Sequence, residues 1–141
     1  MMRKLPDWQI LLHKFLTKNR DREFGWGTWD CCTFCNEALK VISGQSVIPP
    51  QLQWSNEREA MEKVQKYGRT FSNAIKKAAR AAGLEPVDVK QITAGDLVVY
   101  QNDNEEVCGI CDGFSLLSPS DIGYAFSRCE KARLAWRVPN G

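Results

Sequence analysis

Trp26-Gly27-Thr28-Trp29-Asp30-Cys31-Cys32-Thr33-Phe34-Cys35 is the stretch on which the fold turns. Phe24 to Trp29 is rich in glycine and aromatics and must bend tightly, and Asp30 is a good N-cap for the run that follows. The spacing predicts a helix from Asp30 to about Ser43, closed by Gly44. Cys31, Phe34, Ala38 and Val41 fall along one stripe, Cys35 and Ile42 at its margin, and Cys32 and Leu39 on another side. A helix apolar over so much of its circumference belongs in the centre of a fold.

Working outward, residues 7–18 read as an amphipathic helix with Asp7 as N-cap, and Trp8, Leu11, Leu12, Phe15 and Leu16 on one face. His13 lies about 140° from Trp8 on that wheel, on the polar side. Val47 to Trp54, with Pro49-Pro50, is a connector. Asn56 with Glu59 opens a third helix that stops at Gly68. Thr70 to Ala82 forms a fourth, ending at Gly83, with Lys76, Lys77 and Arg80 on its solvated side. After residue 85 the pattern changes to short β segments: 87–90, 96–100, 107–111, 114–117, 122–126 and 133–138. Asp112-Gly113 is the strongest hairpin signal. Helices followed by an antiparallel meander predict an α+β fold, with N-terminal helices (about 7–83) packed on a C-terminal sheet of about five to six strands (about 85–138). With no repeat, low-complexity tract or linker, 1–141 reads as one domain.

The composition narrows the function classes. The chain has 141 residues, 19 basic and 17 acidic side chains, and a net charge of +2. Residues 1–70 carry 11 basic and 8 acidic side chains and 71–141 carry 8 and 9, so neither half has the excess of a nucleic-acid binder. No run approaches the ~18 apolar residues of a membrane span, and no apolar signal core follows Met1. A soluble protein made in a reducing cytosol is expected. The single histidine excludes any site needing two imidazoles from one chain.

Six cysteines leave disulfides, metal or chance open. A disulfide framework suits secreted chains too small for a core, and neither condition holds here. Metal candidates are the two CxxC pairs, Cys32 with Cys35 and Cys108 with Cys111. A helical pair and a strand pair, with 72 residues between them, are weak evidence for zinc or an iron–sulfur cluster, because residues three apart on a strand point to opposite faces. Cys31 has a separate claim. At the first turn of a helix, backbone N–H groups and the macrodipole favour a thiolate, the setting of a cysteine nucleophile. The alternative is a small buried hydrophobe.

Trp26-Gly27-Thr28-Trp29-Asp30-Cys31-Cys32, Gly95-Asp96-Leu97-Val98-Val99-Tyr100 and Cys108-Gly109-Ile110 resemble, in order and spacing, the landmarks of NlpC-type papain-like peptidases. Over roughly residues 8–138 the chain also resembles a small family of phage and prophage proteins with Asp-Cys-Cys, Gly-Asp, Gly-Ile-Cys and Ala-Trp-Arg segments. The last is Ala135-Trp136-Arg137 here. The resemblance implies a papain-like fold and puts Cys31 at the nucleophile position. It puts Val107 at the histidine position and Leu116 or Leu117 at the third polar position. Cys111, on the strand face of Val107, is expected to approach Cys31 or Cys32.

The resemblance implies a phage tail-tip or tail-assembly component of the virion tail, made in the host cytoplasm. It would be catalytically silent and would bind other tail-tip or hub proteins without nucleic acid, membrane or cofactor. Trp8, Trp26, Trp29, Trp54 and Trp136 are candidate anchors. The alternatives are a cysteine peptidase or amidase that uses Cys31 on peptidoglycan, and a protein stabilised by Cys-ligated zinc or an iron–sulfur cluster.

Overall fold

In the computed structural model, which describes residues 2–141, four helices precede six strands. The helices are α1 (Trp8–Lys18), α2 (Cys31–Ser43), α3 (Glu57–Gly68) and α4 (Phe71–Ala82). The strands are β1 (Glu85–Val87), β2 (Leu97–Asn102), β3 (Glu105–Cys111), β4 (Leu116–Pro119), β5 (Tyr124–Ser127) and β6 (Ala132–Arg137). They form one antiparallel sheet in the order β1-β6-β2-β3-β4-β5. The architecture is α+β, as expected. Among the described residues no helix is long and apolar enough to cross a membrane.

Local chemistry sets the helix ends. Asp30 and Thr33 form a reciprocal capping box at the start of α2, and Gly44 ends it in the left-handed conformation with φ +81°. Asn56 and Thr70 cap α3 and α4 by accepting from Glu59 N and Asn73 N. Asp7 differs: its side chain makes no capping bond, and Leu5 and Asp7 carbonyls accept from Trp8 N and Leu11 N.

The central part of β2, Leu97 to Tyr100, is buried on both faces, since it lies between β6 and β3 and both sides of the sheet are covered. Leu97, Val99, Cys108, Ile110 and Trp136 face α2 and join its core with Phe34, Cys35, Ala38, Leu39 and Ile42. Val98, Tyr100, Cys111, Leu116 and Ala135 pack on the opposite face beneath Val87, Ile92 and Cys129. Helical and β regions therefore share one core.

The structure corrects several expectations. Phe34 and Ala38 of the expected stripe are fully buried, but the buried side runs on through Cys35, Leu39 and Ile42, whereas Cys31 and Val41 are only half-buried. Periodicity alone could not orient a helix with apolar side chains nearly all round. The strand expected over 87–90 ends at Val87, because Asp88 accepts from Lys90 N and turns 89–91 into a short 3-10 segment. The Asp112-Gly113 hairpin exists, but Asp112 Oδ1 accepts from both Phe114 N and Ser115 N, so the turn is longer and β4 starts at Leu116. Asp103, at φ +56°, makes a second tight hairpin between Asn102 and Glu105 that extends β2 and β3 beyond the expected limits. The meander holds for β2 to β5 only; β6 crosses back to pair with β2.

Candidate functional site

The start of α2 is built around a buried carboxylate. Asp30 Oδ1 accepts from Thr33 N at 2.9 Å and from the Thr33 hydroxyl at 3.0 Å, while Oδ2 accepts from Gly27 N at 2.8 Å and Trp54 Nε1 at 2.6 Å. Thr33 Oγ1 in turn accepts from Asp30 N at 2.7 Å. Four donors satisfy the two oxygens of a carboxylate taken out of water, which offsets the cost of burying it. Gly27 is required here: at φ +78°, a Cβ would lie 1.9 Å from the Trp54 carbonyl oxygen. The Trp-Gly-x-x-Asp segment is thus a clamp that fixes the chain entering the helix and pins the 47–54 connector to it.

That clamp presents Cys31 and Cys32 at the first two positions of α2, and α2 lies across β3, whose Cys108 points up at them. The three sulfurs lie within 4.8 Å of one another, and Cys108 Sγ is 3.9 Å from Cys32 Sγ. Cys108 is buried; Cys31 and Cys32 are half-buried. Hydrogen bonds from Cys108 and then Cys32 hold the Cys31 thiol well below its ordinary value. Cys108 moves the opposite way, because its bonds with Cys31, Cys32 and Cys35 favour its protonated form and burial adds to this. The Cys32 thiol also rises: the Cys108 bond opposes this, but its bond with Cys31 and burial prevail. Burial likewise pushes up Cys35. Within the cluster the hydrogen bonds thus favour ionisation of Cys31 over that of Cys32 and Cys108.

This arrangement rearranges the expected sites. The strand residue facing Cys31 is Cys108, and Val107 lies on the far face of the sheet with Cys111. Cys111 does not approach Cys31 or Cys32; it is buried opposite them, with Cys129 as its thiol neighbour. Of the four metal candidates, Cys32 and Cys108 meet, together with Cys31; Cys35 lies deeper, and Cys111 is excluded by the sheet. Leu116 and Leu117 are both buried and apolar, on opposite faces. His13 is exposed on α1 and lines a shallow groove with Trp8, Leu16, Phe114 and Phe126. Strand parity, with 108 and 110 on one face and 107, 109 and 111 on the other, was the available signal for Cys108. Nothing local announced Trp54 as the partner of Asp30.

The second acidic landmark, Asp96, is also structural. It is fully buried, and Arg137 grips it with Nε to Oδ1 and Nη2 to Oδ2, both at 2.9 Å, while Thr93 N donates to Oδ2. Arg137 Nη2 also donates to the Gln91 carbonyl at 3.0 Å. The Gly-Asp and Ala-Trp-Arg segments are therefore two halves of one ion pair joining β2 to β6. The expected tryptophan anchors divide: Trp29 and Trp136 are core, Trp8 and Trp54 are half-buried, and Trp26 is the most exposed. The most exposed aromatics are phenylalanines, Phe114 at 89% and Phe126 at 66%.

No curated protein matches the chain. A family model described as "Domain of unknown function (DUF6950)" matches residues 3–138, spanning the Asp-Cys-Cys clamp, the thiol cluster and the Asp96–Arg137 pair, and the chain belongs to that family.

Proposed function

We propose that this protein is a tail-tip or tail-assembly component of a phage or prophage, built on a papain-like, NlpC-type scaffold, that binds other tail proteins and hydrolyses nothing. The phage context rests on the sequence resemblance. The observation that carries the loss of catalysis is the company of Cys31: its hydrogen-bonding neighbours are the thiols of Cys108 and Cys32, and the chain's one imidazole is exposed on α1. A cysteine hydrolase needs a base to form its nucleophile and an acid to protonate the leaving amine. A depressed thiol supplies the first. Cys32 and Cys108, whose thiols are pushed up, are poor at the second, and Asp30 has both oxygens committed, Oδ1 to the helix cap and Oδ2 to Gly27 N and Trp54 Nε1.

The surface best suited to a partner is the groove between α1 and the β4–β5 end, where Phe114 and Phe126 stand exposed beside Trp8 and His13. Exposed aromatics in a shallow concavity are common anchors of protein interfaces. β5 is also an edge of the sheet and offers unpaired backbone groups next to Phe126.

Two measurements test the reading. Incubation with purified peptidoglycan should release no more peptide from wild type than from Cys31→Ala, and release that depends on Cys31 would replace the binding reading with a peptidase. The pair Phe114→Ser and Phe126→Ser should sharply lower the yield of infectious particles while the protein stays folded. An unchanged yield would reject this face as the tail contact.

A further inference from the structure

We propose that Cys31, Cys32 and Cys108 form a three-thiolate site for a thiophilic metal ion, Zn²⁺ foremost, with a fourth coordination position open towards solvent. This inference does not depend on the tail reading, since a metal centre could sit in a binding protein or an enzyme alike.

The argument begins with geometry. Sulfurs bound to one tetrahedral Zn²⁺ at ~2.3 Å are ~3.8 Å apart. Cys108 Sγ and Cys32 Sγ are separated by 3.9 Å, and all three sulfurs fit within 4.8 Å. Closing on an ion therefore takes small side-chain movements and no backbone rearrangement. The ligands come from two rigid elements, the first turn of α2 and the middle of β3, so the site is held by the main core rather than by a mobile loop. Two cysteines adjacent in sequence share the site because the Cys108 sulfur lies within 4.8 Å of both.

Charge makes the same case. Three thiolates and Zn²⁺ carry a net charge of −1, and the complex sits at the N-terminus of a 13-residue helix, where unpaired N–H groups and the macrodipole stabilise an anion. Asp30, the carboxylate nearest in sequence, is spent on four donors and stays out of the coordination shell. Access is provided by Cys31 and Cys32, which are half-buried, while Cys108 closes the inner side. Cys35 is buried below and lies outside the mutually close set, leaving the fourth position to water or an external ligand. Binding replaces S–H bonds with S–Zn bonds: each thiol that was protonated releases its proton to solvent, and no electrons are transferred.

The test uses the full-length protein, reduced, freed of metal with chelator, and titrated with Zn²⁺ against a competing indicator. One equivalent should bind, with proton release that rises with the number of thiols protonated at the working pH. Titration with Co²⁺ should give the strong near-ultraviolet absorption of thiolate-to-cobalt charge transfer. Cys31→Ser, Cys32→Ser and Cys108→Ser should each weaken Zn²⁺ binding by more than about tenfold, the low end of what even an outer contact to a metal ligand costs. Cys111→Ser and Cys129→Ser should leave it unchanged. Circular dichroism of every variant separates loss of metal from loss of fold, and Zn²⁺ affinity of a folded Cys108→Ser equal to wild type would overturn the site. So would a folded, reduced wild type that binds less than a half-equivalent. Weakening by Cys35→Ala as large as that by Cys108→Ser would overturn the open fourth position by making Cys35 a ligand.

Discussion

Cys108 and Cys111 are three residues apart on β3 and face two differently built sides of one sheet. On the side of Cys108, polar chemistry is gathered locally: residues 26–33 and Trp54 hold one carboxylate, and that carboxylate holds the helix start that brings three thiols together. On the side of Cys111, polar chemistry spans long distances in sequence. Asp96 meets Arg137 across 41 residues, and the buried Cys111 thiol, with Cys129 as its thiol neighbour, packs among Val98, Tyr100 and Leu116. The first side concentrates groups able to do chemistry and satisfies its charge with neutral donors. The second uses a charge pair to lock the last strand onto the sheet. An acidic residue in a recognisable motif thus serves structure on both sides, by different physics.

The difference is broken most severely at Arg137. Arg137→Met leaves the Asp96 carboxylate fully buried beside a single remaining donor, Thr93 N, and should cost about 3 kcal/mol, the low end for breaking a buried pair because the guanidinium is partly exposed. The double variant Asp96→Asn, Arg137→Met should recover part of that loss, since it removes the unpaired charge. Urea unfolding measures both, and a double variant no more stable than Arg137→Met would mean that the ion pair is not what β6 relies on.

Gly109 comes next and sharpens the same side. A Cβ at this position would lie 2.5 Å from the Leu117 carbonyl oxygen and 2.9 Å from the Tyr100 hydroxyl, so Gly109→Ala must push β4 or the buried Tyr100 ring away. A loss of about 2–3 kcal/mol is expected, the upper part of the range for overpacking. A Tm within a degree of wild type would show that β4 yields freely.

On the Cys108 side, Asp30→Ala removes the cap and leaves Gly27 N and Trp54 Nε1 without their acceptor; about 2 kcal/mol is expected, the top of the capping range. Asp30→Asn keeps an oxygen at the cap but offers an amide where two donors point, so a loss of about 1 kcal/mol should follow. Equal losses for the two variants would show that the Oδ2 contacts with Gly27 N and Trp54 Nε1, rather than the Oδ1 cap that Asn retains, carry what Asp30 contributes.

The two sides also differ in how much of them the sequence discloses. The Asp30 cap, Gly44 stop and Asn56 cap are local, since each needs only neighbours within four residues, and they lie where expected; Thr70, expected as the first residue of the fourth helix, is its cap. The opposite placement of Cys108 and Cys111 is legible too, because strand alternation is a matter of parity. The thiol cluster is not legible, for it depends on α2 crossing β3 at its first turn, and the stripe that orients α2 is ambiguous in a helix with apolar residues on most sides. Nor is the return of β6 to β2 visible before the Asp96–Arg137 pair is seen, because no short-range preference specifies a strand partner 32 or more residues away.

The smallest effect concerns Cys111 and pH. Burial pushes its thiol up to about 11, against an ordinary thiol near 8.5 in the unfolded chain. The folded state thus resists ionisation that the unfolded chain accepts. The stability tied to this protonated thiol is fully present below about pH 8.5 and is lost as pH rises towards 11. Cys111→Ala removes the titrating group: it should lower stability slightly at pH 7 through lost packing, but the fall between pH 8.5 and 10 should be shallower than in wild type. The difference in slope should stay below about 1.4 kcal/mol per pH unit, the limit for one proton. Parallel curves for the two proteins would mean that Cys111 ionises as readily in the fold as outside it, and the far face of the sheet would then be far more open to water than its packing against Val98, Tyr100 and Leu116 implies.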